Sequence, residues 1–443
     1  MVPQANLPVT LDEWLDYIGR QHTAEIVMGL ERVTQVWQRM SSPEKPVQAP
    51  INIMVGGTNG KGSTGAMLEA ILNIAGYKTG FLSSPHLQRY NERVRLSRQD
   101  ASDELLIASF TAVEAARIFP DIIPLTYFEY NVLSALWIFA EQKVDIAILE
   151  VGLGGRLDAV NIIDADISIV VSVDLDHQNY LGDTREKIGL EKAHIYRHNC
   201  TAIFADINPP NSLIEYAESI DAKLTMLGRD YRYQRMDNQW QFLGNIADHD
   251  GMVHNIARHS LPLPALRGGY QLKNASAAIA ALAALQGRLP VSIGHIKRGL
   301  LEVIWPGRMQ VLPGRPGVVL DVAHNPHAAR ALEDALGTMA YAENTYAVFG
   351  MLKDKDIEAV IASVKERINF WFIAGLSCER GASAELLAEK LDRQGLSGQY
   401  LRYINITQAY AAARERAGEN DRILVFGSFY TVAEVMNVIK ANS

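Results

Sequence analysis

A chain of 443 residues, 48% of them apolar and with a formal net charge of −8, exceeds what one hydrophobic core usually serves, so two domains are expected. The acidic balance argues against a general nucleic-acid or membrane-surface role, since both need an excess of Lys and Arg. Two distant cysteines, Cys200 and Cys378, allow no disulfide framework or zinc spacing and fit a reducing compartment.

Met1 to Arg20 shows no basic region followed by an apolar core, and no apolar run reaches membrane-spanning length, so a cytoplasmic location is expected. Thr10-Leu11-Asp12-Glu13 is a capping-box pattern, and Leu11, Trp14, Leu15 and Ile18 follow at helical spacing. Ala24 to Met40 is also helix-like, and a proline-punctuated loop from Ser41 to Pro50 leads into the apolar run Ile51 to Val55. The stretch Gly56-Gly57-Thr58-Asn59-Gly60-Lys61-Gly62-Ser63-Thr64 then joins that buried strand to a helix expected over Ala66 to Ala75. Glycines in such a loop turn backbone N–H groups onto an anion, the helix end adds positive partial charge, Lys61 reaches outer phosphates, and a hydroxyl ligates Mg²⁺. Gly62, between Lys61 and Ser63, departs from the common phosphate-loop pattern. Gly76 is a good C-cap, and Lys78 to Leu82 reads as the next strand, which makes a βαβ unit.

Ser83 to Arg98 is a polar loop beside that site; its arginines Arg89, Arg93 and Arg95 equally suit a solvated loop. Ser102 caps a helix running to Phe119, and Phe128 to Gln142 is a long helix whose aromatics suit a core. Asp145 to Glu150 reads as a second buried strand, followed by the glycine-rich Val151 to Asp158. The strand Ile167 to Val173 ends in Asp174-Leu175-Asp176-His177, and Glu191-Lys192 lies on the next helix. Strand carboxyl ends face the ligand in an open α/β sheet, so Glu150 and His177 should approach the phosphate loop. Taken singly, Glu150 also suits a helix cap, His177 a core histidine and Lys192 a surface charge.

From Thr201 the pattern turns β-rich: Thr201 to Asp206, Leu224 to Leu227 and Tyr231 to Leu243 suggest a small hairpin excursion. Helices over Leu272 to Leu285 and Val291 to Leu301 precede the proline- and glycine-rich boundary at Trp305-Pro306-Gly307-Arg308. Domains are therefore expected at 1–303 and 318–443 with a linker at 304–317. The second, smaller domain alternates strand and helix: Val318 to Val322, Thr345 to Phe349, Phe370 to Ala374, Tyr400 to Tyr403 and Ile423 to Phe426. Polar clusters follow its strands at Asp321 to Pro326, Gly350 to Asp356 and Gly427-Ser428-Phe429. The fold class is thus α/β: an N-terminal P-loop doubly wound domain with a β-rich excursion, and a C-terminal Rossmann-like domain. There is no His-Glu-x-x-His, no Gly-x-Ser-x-Gly and no internal repeat.

Together these residues resemble the folylpolyglutamate synthase/dihydrofolate synthase family, within the Mur-ligase type of ATP-dependent amide ligases. The markers are Gly57 to Ser63, Ser83 to Leu87, Leu125 to Glu129, Glu150 to Asp158, Asp176-His177, Glu191 to Ala193, Pro306 to Arg308 and Asp321 to Pro326; the glycine at 62 is itself typical of the folate branch. The resemblance implies that ATP phosphorylates a pteroate or folate carboxylate and that the amine of L-glutamate displaces the phosphate. It implies Mg²⁺ on Ser84, Glu150 and His177, and carbamylation of Lys192. ATP would be held by Thr58, Asn59, Gly60, Lys61, Gly62, Ser63 and Thr64 with Asn274, Arg308 and Asp321, domain closure completing the site. Thr126, Phe128 and Asp158 match the pterin pocket, Phe128 stacking on the flat ring unless it is simply core. The polar-loop arginines Arg89, Arg93 and Arg95 are candidates for substrate carboxylates, Arg156 for a further substrate contact, and His324 and Ser428 for the glutamate side. A monomer acting only on small molecules is expected.

Four positions depart from the family pattern: Gly56 for a small alanine, Gln178-Asn179 for Thr-Asp, and His194 for a glycine, which would set an imidazole near Lys192. Two other readings compete. A nucleotide-dependent switch would show an Asn-Lys-x-Asp motif, which is absent; a cell-wall peptide ligase is opposed by Gly62 and by the Leu125 to Glu129 stretch. The residues do not decide between one folate reaction and both.

Overall fold

The apolar run that feeds the phosphate loop is a wholly buried strand, β1 (Asn52–Gly56), in the computed structural model, which describes residues 7–22, 27–42, 46–248 and 250–441. The chain divides into two units, Met1–Pro264 with Leu272–Val303, and Ala265–Gln271 with Ile304–Ser443.

In the first unit β1 is joined by β2 (Thr79–Leu82), β3 (Val94–Leu96), β4 (Gln99–Asp100), β5 (Ile146–Glu150), β6 (Ile167–Val170), β7 (Thr201–Phe204) and β8 (Lys223–Met226). Their order across the sheet is β4-β3-β2-β5-β1-β6-β7-β8. All pairs from β2 to β8 are parallel, while β3 and β4 form an antiparallel edge. The runs of Ile and Val in β1, β5 and β6 suit strands buried on both faces. After β1 the chain fills one side of the sheet with β2 to β5, then crosses to the other with β6. A ligand crevice therefore opens at the carboxyl ends of β1, β5 and β6. Val55 pairs with Glu150 in register, so the loop after β1 and the carboxylate ending β5 leave the sheet at one level.

The helix after the loop starts at once, Lys61–Ile74, rather than at Ala66. The expected helix from Ala24 is seen as Glu31–Met40; residues 24–26, and 43–45 of the proline loop, lie outside the described residues. Thr201 to Asp206 and Leu224 to Leu227 belong to the main sheet and not to the β-rich excursion, because the helix Asn211–Ser219 between them supplies the crossover a parallel pair needs. The excursion is instead the antiparallel sheet β9 (Tyr231–Arg235), β10 (Gln239–Ala247) and β11 (Val253–Pro262).

The second unit holds β12 (Gln310–Leu312), β13 (Gly317–Leu320), β14 (Thr345–Phe349), β15 (Phe370–Ala374), β16 (Tyr400–Tyr403) and β17 (Arg422–Phe426), ordered β12-β13-β17-β14-β15-β16. All are parallel except β12, which pairs antiparallel with β13 and lies within the segment read as linker. Phe349, Trp371 and Phe426 pack ring on ring at its centre.

A buried charge cluster ties the first helix of the chain to the core of the first unit. Glu114 accepts from Arg117 Nε at 2.8 Å and Nη2 at 2.6 Å, from the Tyr17 hydroxyl at 2.7 Å and from the Tyr130 hydroxyl. Replacing Glu114 with Ala leaves the Arg117 guanidinium buried without its counter-charge, so the variant should lose about 3 kcal/mol of stability. The measurement is a lowered urea midpoint at unchanged slope; a midpoint equal to the wild type would contradict it. Cys200 and Cys378 are both free, and no helix among the described residues is long and apolar enough to cross a membrane.

Candidate active site

The phosphate loop is shaped by two glycines at positive φ, Gly57 at 142° and Gly60 at 91°. A Cβ on Gly57 would lie 3.1 Å from the backbone nitrogens of Val171 and Ser172; one on Gly60 would lie 2.6 Å from Asn274 Oδ1. Only glycine allows this approach, and it places Asn274 directly against the loop. The loop is also tied to the end of β6. Thr58 N donates to Ser172 O at 2.8 Å, Asn59 N to Ser172 Oγ at 3.1 Å, and Asp174 N to the Thr58 hydroxyl at 3.0 Å. Lys61 curls back so that Nζ donates to Gly57 O at 3.0 Å. Gly62, Ser63 and Thr64 form the first helical turn, which carries no acidic residue. The Thr64 hydroxyl is buried and has no hydrogen-bond partner among the described residues. Two glycines no other residue could replace, an unopposed helix N-terminus and a lysine over the loop fit a row of phosphates.

At the neighbouring strand end, Glu150 is buried and its carboxylate accepts from Ser84 N at 3.3 Å, so two of the three expected cation ligands are adjacent. His177 occupies a left-handed conformation, φ 50°, before the short helix Gln178–Leu181, and its Nε2 lies 3.9 Å from Asp176 Oδ1. Among the described residues no three His, Cys, Asp or Glu groups converge as a metal cluster. The donor set suits Mg²⁺, which takes one or two carboxylates, waters and substrate phosphates rather than a protein cage.

Lys192 is buried on the helix Arg185–Ala193. Burial, then the positive charge of Lys61, pushes its amine down to about 7 against the pull of Asp176, Asp158 and Glu191. These charges thus share one neighbourhood. A Cβ on Gly155 would meet Glu191 O at 2.6 Å, so the glycine-rich loop after β5 lies on the Lys192 helix. His194 does not crowd Lys192: its ring stacks on Tyr216 at 4.1 Å between centroids.

Several expected ligands have their polar atoms engaged by the chain itself. Asp158 accepts from Leu153 N at 2.7 Å and Val160 N at 3.1 Å; burial raises its carboxyl to about 6. The Thr126 hydroxyl accepts from Glu129 N in a capping box. Ser428 Oγ caps its helix through Thr431 N at 3.0 Å. Asp321 accepts from Met309 N and Ala323 N, both at 2.8 Å, so it shapes the turn that carries Arg308. Arg308 lies over the Phe429 ring at 5.3 Å, and the His324 ring is 6.0 Å from the same phenyl while its Nδ1 contacts Val322 O. Phe128 lies on Gly152, where a Cβ would sit 2.7 Å from its ring. Arg89 is largely exposed and paired with Asp103 at 3.0 Å; Arg156 pairs with Glu191 at 2.9 Å.

Two contacts escaped the sequence reading, although Arg95 itself was among its polar-loop arginines. Ser172, two residues beyond β6, holds Asn59; its position at the same sheet edge as Asp174 was the available signal. Arg95 and Arg98 of the polar loop clasp the phosphate-loop helix, Arg95 at 3.3 Å from the buried Glu69 carboxylate and Arg98 N donating to it at 3.0 Å.

The chain is similar to known proteins along nearly its whole length. Residues 55–282 match the Mur ligase middle domain and residues 307–429 the Mur ligase glutamate ligase domain. The dihydrofolate synthase/folylpolyglutamate synthase of Escherichia coli is 43% identical over 99% of this chain and 97% of its own. The solved structure of E. coli FolC in complex with DHPP and ADP superposes with a TM-score of 0.89 over 98% of both chains, at 43% identity. A bifunctional folylpolyglutamate synthase/dihydrofolate synthase with Mn, AMPPNP and L-glutamate bound gives 0.86 at 40% identity, over 99% of this chain and 100% of its own. With the phosphate loop, the Ser84–Glu150 edge and the buried Lys192 in place, the chain belongs to the folylpolyglutamate synthase/dihydrofolate synthase family of ATP-dependent Mur-type ligases.

Proposed function

We propose that this protein joins L-glutamate to dihydropteroate and to reduced folates, using ATP to activate the acceptor carboxylate. The observation that carries the reading is the shared neighbourhood of Lys61 on its phosphate loop, the Ser84–Glu150 strand end and the buried Lys192. A carboxylate is a poor electrophile because oxide is a poor leaving group. Transfer of the γ-phosphoryl group to a carboxylate oxygen, with ADP leaving, makes an acyl phosphate; the glutamate amine then attacks the carbonyl carbon and phosphate departs. Lys61 and the helix N-terminus bear the charge on the transferring group. A divalent cation on Ser84, Glu150 and His177 would neutralise phosphate charge. An amine near 7 is partly unprotonated at neutral pH, so Lys192 can add CO₂, lose a proton and become an anionic carbamate.

Asn274, Arg308 and Asp321 are assigned to the nucleotide, His324 and Ser428 to glutamate, and Phe128 to the pterin face, with Thr126 and Asp158 shaping its surroundings. We take the protein to act in the cytoplasm as a monomer on these small molecules. Incubation with ATP, Mg²⁺, glutamate and dihydropteroate, and separately with tetrahydrofolate, should yield ADP, phosphate and a new amide with each acceptor. Release of AMP, or no amide with either, would overturn the reading.

A further inference from the structure

The polar loop 83–98 carries four arginines, and three are committed elsewhere. Arg89 is spent on Asp103 in solvent, Arg95 on Glu69 and Asp100, and Arg98 on Glu302. Arg93 differs. Its Nε donates to His86 Nδ1 at 2.8 Å, and its guanidinium carbon lies 5.5 and 5.6 Å from the ring centroids of Tyr90 and Tyr127, two rings nearly perpendicular to one another. Its two terminal amino groups have no hydrogen-bond partner among the described residues. The backbone is held as well: Ser83 N donates to Arg93 O at 2.9 Å, one residue before the Ser84 N–H that meets Glu150. On its other side Tyr127 precedes Phe128, whose ring covers Gly152. The planar fork is therefore fixed between the Ser84 turn and an aromatic wall.

We propose that Arg93 is a specificity-determining residue for the acceptor substrate, its two terminal amino groups donating to the oxygen- and nitrogen-lined edge of a pterin ring laid against Tyr127 and Phe128. The proposal rests on the acceptor assigned above. An aromatic face accepts a flat ring, and a guanidinium held beside aromatic rings presents its donors within its own plane, where a carbonyl oxygen and neighbouring ring nitrogen take both. A lysine would offer a point charge without the fork. The substrate's carboxylate is the competing ligand; the aromatic walls favour the ring.

The test uses equilibrium dialysis of two ligands, dihydropteroate and 6-methyl-7,8-dihydropterin, which keeps the ring and lacks the carboxylate, together with KM values for ATP and glutamate. Arg93→Gln should weaken both pterins by roughly 10- to 100-fold and leave the KM values for ATP and glutamate within about twofold. Should Arg93→Gln unfold, Arg93→Lys, which keeps a charge over the rings, is expected to show the same loss in both titrations. Unchanged binding of both ligands by a folded variant would overturn the proposal, as would a loss confined to dihydropteroate, which assigns Arg93 to the carboxylate. Wild-type protein that binds neither pterin nor forms an amide would instead overturn the function on which the proposal rests.

Discussion

Lys61→Ala is expected to lower kcat/KM for amide formation by roughly 10³-fold, the scale of losing a fixed cation at a transferring phosphoryl group. Nζ donates to the loop carbonyls of Gly57 and Thr58, contacts within the loop itself, and the thermal midpoint should shift little. Retained activity, measured as ADP release coupled to dihydropteroate, would remove Lys61 from the chemistry. The same substitution has a second consequence. The Lys61 charge is one cause of the depressed Lys192 amine, so Lys192 in the variant should titrate higher and take up less CO₂ at neutral pH.

Lys192→Met is expected to separate activity from stability. Turnover should fall by about 100-fold or more, as losing a group that supports a metal and phosphate site does, yet the variant should be the more stable protein at pH 7. The sign follows from linkage. Folded Lys192 titrates at about 7, whereas an unfolded lysine titrates near 10.4, so between these values the unfolded chain binds the extra proton. Wild-type stability therefore rises with pH across that window. Below about pH 7 the full cost of burying the cation is present, on the order of 4 kcal/mol. Urea midpoints at pH 7, 8 and 9 in CO₂-free buffer should climb in the wild type and lose that increment in Lys192→Met. A variant less stable than wild type at pH 7 would show that Lys192 is favourably paired when charged.

The parts of the site legible in the sequence are those whose chemistry is local. A strand, two glycines, a lysine and a helix start specify a phosphate cradle within ten residues, and Glu150 was placed by its position at a strand's end. Polar residues in Thr126, Asp158 and Ser428 were harder, because a helix cap and a ligand contact use the same oxygen. Thr126-x-x-Glu129 does read as a capping box, and the structure uses it as one. The arginines could not be ranked from sequence: Glu92 gathers the N–H groups of Leu87, Gln88 and Arg89, which turns Arg89 outward and Arg93 onto Tyr127. The assignment of β7 and β8 to the excursion failed because short apolar runs do not announce their partners, whereas the helix between them does.

Glu69 lies on the helix that begins at Lys61, and through Arg95 and Arg98 it grips the hairpin that ends the loop carrying Ser84 and Arg93. Nucleotide loop and acceptor loop are thus two ends of one clamped body. Whatever free energy a bound triphosphate spends in stiffening this body is no longer owed by the acceptor, and the advantage is reciprocal by thermodynamic necessity. The order in which the two substrates arrive can then affect rates without altering the total affinity of the ternary complex.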